Sequence, residues 1–387
     1  VTWQFILTDL YGNVHGEVTQ ASARKVTLPH LRVPSCSFTI PVWHDLAELV
    51  LDTDCLVKAY RYDEHTDTRV LAFHGPVVSA EENTEEGAKS IAVTCAGPFW
   101  RLTKRIIPSS KLKSGTQYGA EGALIDLGTI ANTVLSDVNG HRFTGIVAGD
   151  HEDTTDAWAG KWHLKNAAEA IAELGAGLNS FEYRVRPTEP VSYANPDSWP
   201  RIGLFDTLAI IGEDRPNAIF EYGVPRSNMA SYKRTVSRET LLTRAIISVS
   251  GWPDSIEKLN LGTPLAPVIV DRYNLIERSD ADQISDRGLF EEVVNDAGVY
   301  DDGLRQNIAD FHLGIRKNPK QIITFKPVTN ARPAPLVDYN VGDFVRARAI
   351  VNGSLRFDAQ FRIWGVTFDV DQNGNESVEI ELISSTT

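Results

Sequence analysis

Two stretches of this sequence gather oxygen and imidazole ligands closely enough to suggest metal chemistry. Asp369, Asp371, Asn373 and Gly374 fall at positions 1, 3, 5 and 6 of an EF-hand calcium loop, whose carboxylate and amide oxygens surround a hard cation. At position 12, where such a loop needs a bidentate glutamate, stands Ile380, and Glu379 is one residue short. Both flanks alternate with a period of two, so a hairpin turn over Asp369–Asn373 is preferred to a calcium site. The second stretch is Asp150-His151-Glu152-Asp153, with Asp156 and His163 nearby, a set suited to a hard or borderline cation. No helical i,i+4 spacing gathers these residues, and Gly149 and Gly160 flank them. A solvated acidic loop over Asp150–Asp156 is therefore preferred.

Nucleophile and phosphate motifs are absent. The sequence has no GxSxG elbow, Walker loop or HExxH, and Gly175-Ala176-Gly177 fails the dinucleotide fingerprint at Ser180. The adjacent acids Glu81/Glu82 and Glu291/Glu292 point in different directions on a strand or helix, which suits surface charge better than a glycosidase pair. Cys36, Cys55 and Cys95 are odd in number, widely spaced and set among strand formers, so buried free thiols are expected rather than disulfides or zinc ligands. No enzyme, catalytic residue, cofactor or metal is expected.

The elements that would position any site come next. The chain has 387 residues, 42% of them hydrophobic, which excludes wholesale disorder and provides for several domains. No apolar run is long enough to cross a membrane as a helix, and Val1-Thr2-Trp3-Gln4-Phe5 does not open a secretory signal. With 38 Lys+Arg against 51 Asp+Glu, the net charge of −13 speaks against nucleic acid as a bound partner. The one basic cluster, Lys104-Arg105 to Lys111-Leu112-Lys113, reads as a solvated loop.

Strand formers fill Cys55–Tyr62 and Thr68–Val78, and Ile91, Val93 and Cys95 alternate, with an acidic link from Glu81 to Gly87. A helix stripe follows at Leu124, Leu127, Ile130, Ala131, Val134, Leu135 and Val138. Asn166 and Glu169 open a second helix as a capping box, and Gly175 is expected to close it in the left-handed conformation. Strands are expected at Phe181–Val185, Ile202–Ile211, Ala218–Tyr222 and Leu241–Val249. Two helices are expected next, one with Leu289, Phe290, Val293, Val294 and Ala297 on one face, the other marked by Leu304, Ile308, Phe311 and Ile315 and stopping before Pro319. At the C-terminus Val345, Ala347 and Ala349 alternate, and Phe357, Ala359, Phe361 and Ile363 share one parity. The set then slips to Val366, Phe368 and Val370, which predicts a β-bulge near Trp364-Gly365, before an Asn373-Gly374 turn and a return strand through Val378, Ile380 and Leu382.

The order of these elements, with Phe99-Trp100-Arg101-Leu102 after the first strands, Phe220-Glu221-Tyr222-Gly223 before a polar stretch, Val249-Ser250-Gly251, and Tyr339-Asn340-Val341-Gly342-Asp343-Phe344-Val345 opening the last β-unit, resembles the tail-hub (baseplate hub) proteins of long-tailed bacteriophages. The likeness is greatest to minor tail proteins of siphophages of actinobacteria. It implies a β-rich α+β fold: an N-terminal β-barrel over 1–107, an α+β domain over 108–215, a second β-barrel from 216–252 plus 320–387, and a helical insertion over 253–319.

It also implies a structural virion protein: a homotrimer at the tail tip that links the sixfold tail tube to the threefold tip and forms part of the DNA channel. The implied partners are the distal tail ring protein, the tape-measure protein and other tail-tip proteins, with DNA only as passing cargo, no membrane segment, and assembly in the host cytoplasm. Three copies would carry three times the −13 of one chain, and acidic groups lining a lumen would keep DNA from sticking. The chain stops at Thr387 straight after its last strand, so no fused hydrolase or receptor module is expected. The alternative reading is a host-surface glycan-binding (receptor-binding) tail protein, which predicts exposed Trp and Tyr in a groove.

Overall fold

The computed structural model describes residues 2–52, 54–84, 89–111, 116–118, 125–154, 157–158, 160–175, 181–189, 201–248, 256–260, 269–273, 275–295, 306, 309–310, 312–314, 316–328 and 331–384. Alternating apolar residues make the N-terminal part a sheet. Its strands are β1 (Thr2–Asp9), β2 (Val14–Glu17), β3 (Ser22–Pro29), β4 (Ser35–Pro41), β5 (Cys55–Asp63), β6 (Thr68–Asn83) and β7 (Ser90–Ala96), with a short helix α1 (Ala47–Asp52) between β4 and β5. Trp3, Phe5 and Leu7 of β1 turn inward together, as the two-residue period requires. Strand β6 runs through Glu81, Glu82 and Asn83, so the link to β7 is shorter than expected, and Glu85–Gly87 lie outside the described residues. Cys36, Cys55 and Cys95 are buried free thiols, Cys36 directly across from Cys95 in the β4·β7 ladder.

The middle of the chain is α+β. Two 3-10 turns (Pro98–Lys104 and Pro108–Lys111) precede β8 (Thr116–Tyr118), β9 (Ile125–Asp126), α2 (Leu127–His141), β10 (Ile146–His151), β11 (Ala157–Trp158), β12 (Gly160–Trp162), α3 (Ala167–Gly175), β13 (Glu182–Pro187) and β14 (Gly203–Leu208). The expected stripe of α2 is buried from Leu127 to Val138, and Asp126 caps the helix by accepting from the Thr129 amide at 2.8 Å. Asn166 caps α3 through the Ala168 and Glu169 amides. Gly175 ends α3 without a left-handed φ; what it provides is room, since an added Cβ would lie 3.1 Å from the Tyr183 ring. The helices cover the sheet β10-β14-β13, in which β10 and β14 run parallel, around Phe99, Ile171, Phe181 and Phe205.

The C-terminal part holds β15 (Asp214–Tyr222), β16 (Met229–Ser237), β17 (Arg244–Ser248), β18 (Ile256–Asn260), β19 (Ile269–Tyr273), β20 (Ile276–Ser279), α4 (Ala281–Arg287), β21 (Glu291–Asn295), β22 (Lys320–Pro327), β23 (Phe344–Val351), β24 (Ser354–Val370) and β25 (Glu376–Ser384). The predicted bulge is present: the β24·β25 register slips between Ile363 and Gly365, so that Phe361 and Ile363 before it and Val366 and Phe368 after it all face the core.

The expected helix through Leu289, Phe290, Val293 and Val294 is corrected: the two valines lie in strand β21, which pairs in parallel with β17, and Leu289 and Phe290 precede it outside any helix or strand; Ala297 lies outside the described residues. Two adjacent β-branched valines favour the extended form, and Val294 packs on the small core while Val293 faces solvent. Hence 253–319 is not simply helical: its described residues form β18–β21 and α4, with helical turns at 306, 309–310, 312–314 and 316 that bury Ala309 and Leu313. Leu304, Ile308, Phe311 and Ile315 lie outside the described residues.

The two sets of strands expected as separate barrels are joined. Strand β24 pairs with β25 on one side and, from Gly365 to Val370, with Pro29 to Arg24 of β3 on the other. The result is a 13-stranded sheet whose main order, among the described residues, runs openly from β16 to β2, with one apolar core beneath both parts.

Candidate functional site

The two ligand-rich stretches end in different roles. In the β24–β25 turn Asp371 spends its carboxylate locally, accepting from the amides of Asn373 and Asn375 and from the Asn375 side chain, each at 2.8 Å. Asp369 sits in the ladder opposite Ser377 and lies 3.9 Å from Lys25. Gly374 has φ +87°, the left-handed value the turn demands. This stretch is the hairpin of the preferred reading.

The acidic loop is dispersed. Asp150 pairs with Arg186 at 2.6 Å, Glu152 accepts from the Ala209 amide, His163 is exposed, and Asp156 lies outside the described residues. His151 and Asp153 do meet, with Asp126 as the third member, one ligand atom of each within 4.8 Å of the others. Both Asp126 oxygens are engaged, one capping α2 and the other accepting from the amide and hydroxyl of Thr154. Those bonds outweigh burial and hold its pKa below the usual carboxylate range. The cluster therefore clamps the loop after β10 to the start of α2, with His151 Nδ1 2.9 Å from the Thr207 hydroxyl behind it. Sequence reasoning missed Asp126, because the expected stripe began at Leu124 and ran past it, whereas the helix starts at Leu127 with this Asp as its cap.

Charge is concentrated instead where the α+β unit meets the large sheet. Arg362 of β24 bridges both carboxylate oxygens of Glu182 in β13 and donates to the carbonyls of Gly342, at 2.9 Å, and Ile211. Glu182 also accepts from the Ile211 amide, and buried His30, just after β3, lies 3.5 Å from it. Burial alone would raise the Glu182 carboxyl; His30 and Arg362 overcome it and bring the pKa down to about 2. Beside it the fully buried Asp206 of β14 receives Arg184 and Arg186 of β13. Farther along, the segment after β13 is pinned to the N-terminal strands: Thr188 O lies 2.9 Å from His74 Nδ1, and Glu189 takes Tyr60 at 2.5 Å and the buried Lys58 at 3.5 Å. Burial, aided by Lys58 and Arg101 against the Thr188 bond, lowers the His74 pKa to about 4.

Between these two anchor points lies a cleft of about 570 Å³, bounded by the β3–β4 connection, β6, β13 and the approach to β23. Its wall is apolar apart from His30, Arg32, Arg184, Arg186 and Asn340. Glu291 and Glu292, considered as paired acids, are separated by the strand: the first pairs with Arg244, the second with Arg316. Among the described residues the charged groups serve mainly to join parts of the fold.

No protein-family model matches this sequence, and no curated protein does. Solved structures do. A tail protein from Neisseria meningitidis MC58 superposes over 100% of this chain and 97% of its own, with a TM-score of 0.61 at 11% identity. The 43 kDa tail protein of prophage MuSo2 from Shewanella oneidensis covers 98% of both chains, with a TM-score of 0.57 at 12% identity. Prophage tail protein gp18 from Listeria monocytogenes EGD-e covers 99% of this chain and 95% of its own, with a TM-score of 0.55 at 11% identity. The fold of this chain, from end to end, is that of phage tail proteins.

Proposed function

We propose that this chain is a non-enzymatic structural tail protein of the hub type, from a siphophage of the kind that infects actinobacteria. It works as a homotrimer at the tail tip, where it adapts the sixfold tube to a threefold tip and encloses part of the DNA path. The observation that carries the reading is the end-to-end likeness to three tail proteins, each covered over 95% of its length or more, so the whole architecture corresponds rather than one common module. In this reading the β1–β7 strands, over 1–107, and the strands of 216–252 plus 320–387 are the two barrel units. The α+β unit over 108–215 and the 253–319 insertion are attached to them. The distal tail ring and the tape-measure protein are its neighbours in the virion. Sheet ends at β2 and β16 that are open among the described residues are consistent with strands that gain partners on assembly.

The test is the native mass of the 42.8 kDa chain across a concentration range, followed by imaging of the parent virion. A trimer, or density for three copies at the tail tip, is expected. A tail tip without this chain would sink the reading.

A second reading, host-surface glycan binding, rests on Trp43. It is 67% exposed beside a small cleft of about 200 Å³ that includes Glu17, Gln20, His44 and Asp45, an aromatic plate next to polar groups. If this reading holds, Trp43→Ala abolishes retention on host cell-wall material without changing the melting temperature.

A further inference from the structure

The cleft beneath the sheet is walled by strand edges. Tyr183–Pro187 line it as five consecutive residues, and Val70, Leu71 and Ala72 as three. Side chains on a strand alternate between two faces, so an unbroken run along a cavity means that the strand's edge borders it. The pairings agree. Among the described residues β13 pairs with β14 alone, and the first half of β6 pairs with β5 alone, since β7 begins to pair only at Val77. The β5·β6 register also slips between Ala59 and Tyr60, leaving Ala72 without an opposite residue, a bulge at the cleft wall. Unpaired edges present rows of backbone donors and acceptors to any extended segment that reaches them.

The lining also has a sign. In a chain of net charge −13, the charged lining residues are three arginines, with a histidine beside them and no carboxylate. Arg184 and Arg186 are partly neutralised by Asp206 and Asp150, whereas Arg32 is exposed and has no ion pair with any described residue. The rest of the wall is apolar, and about 570 Å³ is the size of a pocket for a short ligand rather than for a protein lobe.

We propose that this cleft docks an extended, acidic and apolar peptide segment of another protein, added as a strand along β6 or β13. Backbone pairing would supply affinity, the apolar wall would take alternate side chains, and Arg32 would select carboxylates. The inference stands apart from the hub reading, because it needs only the edges and the charge.

The probe is a blocked, fluorescein-labelled peptide of alternating valine and glutamate, about eight residues long, compared with its valine–lysine counterpart. Anisotropy is expected to show saturable binding of the glutamate peptide, at least about tenfold tighter than the lysine peptide, and a loss of about tenfold in Arg32→Glu, whose melting temperature stays unchanged. Hydrogen exchange reads the geometry: amides within Val70–Ala72 or Tyr183–Arg186 should become protected only when the peptide is bound. Charge attraction without strand addition gives binding with no new protection, and overturns the proposal. So do equal binding of both peptides, no binding at millimolar peptide, and edges already protected in the free protein, which would mean that the chain itself fills the cleft.

Discussion

Arg362 and Glu182 face each other across 180 residues of sequence and meet as a two-pronged ion pair, one prong at 2.5 Å. Because Arg362 also donates to two backbone carbonyls, its removal leaves a half-buried carboxylate and two acceptors without their partner. Arg362→Ala should therefore cost about 3–5 kcal/mol in urea unfolding, and Arg362→Lys, which cannot fork, less than that. The double replacement Glu182→Leu/Arg362→Met should recover part of the loss, because the stranded charge is then gone. A double variant no more stable than Arg362→Ala would mean that the ion pair is not what the single change removes.

Acid should weaken the fold in two steps. His74 has its pKa lowered from 6.5 to about 4 by burial, so between those values the unfolded chain binds a proton that the folded chain refuses. This contribution is fully present above about pH 6.5 and is lost as pH falls toward 4. Glu182, lowered from 4.5 to about 2 as His30 and Arg362 overcome burial, adds a second loss between those values. Denaturant midpoints measured against pH should fall through the first window in the wild type and be flatter in His74→Asn.

Two glycines should respond to alanine with opposite signs. Gly212 has φ +117°, and a Cβ there would sit 2.2 Å from the Gly342 carbonyl, beside the Ile211 carbonyl that receives Arg362. Gly212→Ala should destabilise by about 2–4 kcal/mol. Gly140, in the last turn of α2, has nothing within 4 Å of a new Cβ, and Gly140→Ala should stabilise by about 0.5 kcal/mol. Thermal melts of the two variants check both signs.

None of the three thiols should react with a water-soluble disulfide reagent in the native protein, and all three should react in denaturant. Each is essentially inaccessible, and burial, assisted by Asp54, pushes the Cys55 thiol up to about 11, leaving little thiolate to attack. Fast labelling of one thiol at neutral pH would place a strand of the N-terminal sheet elsewhere.

Much of this fold was legible where a single period governs a segment. The slip from Ile363 to Val366 located the bulge because strict alternation leaves no other account of it. The stripe from Leu127 to Val138 gave α2, and Asp371 to Asn375 gave the turn. Legibility failed where partners are remote. Leu289, Phe290, Val293 and Val294 fit a helical spacing, and only pairing with β17 makes the two valines part of a strand. No local pattern announces that Arg362 will meet Glu182, or that Asp126 will meet His151, since those meetings depend on how whole units pack. The likeness in element order reached the fold that no single motif reached.

The ladder between β3 and β24 sets a timetable for the ribosome. Arg24–Pro29 is made some 336 residues, counted from Pro29 to Gly365, before its partner Gly365–Val370, so this edge of the N-terminal sheet must wait unpaired while they are synthesised. At about 5–20 residues per second the delay is on the order of tens of seconds, long compared with hairpin formation. Chains stalled or cut short before Gly365 should carry a sticky, half-finished sheet, and they should be the species that chaperones bind and that aggregates collect.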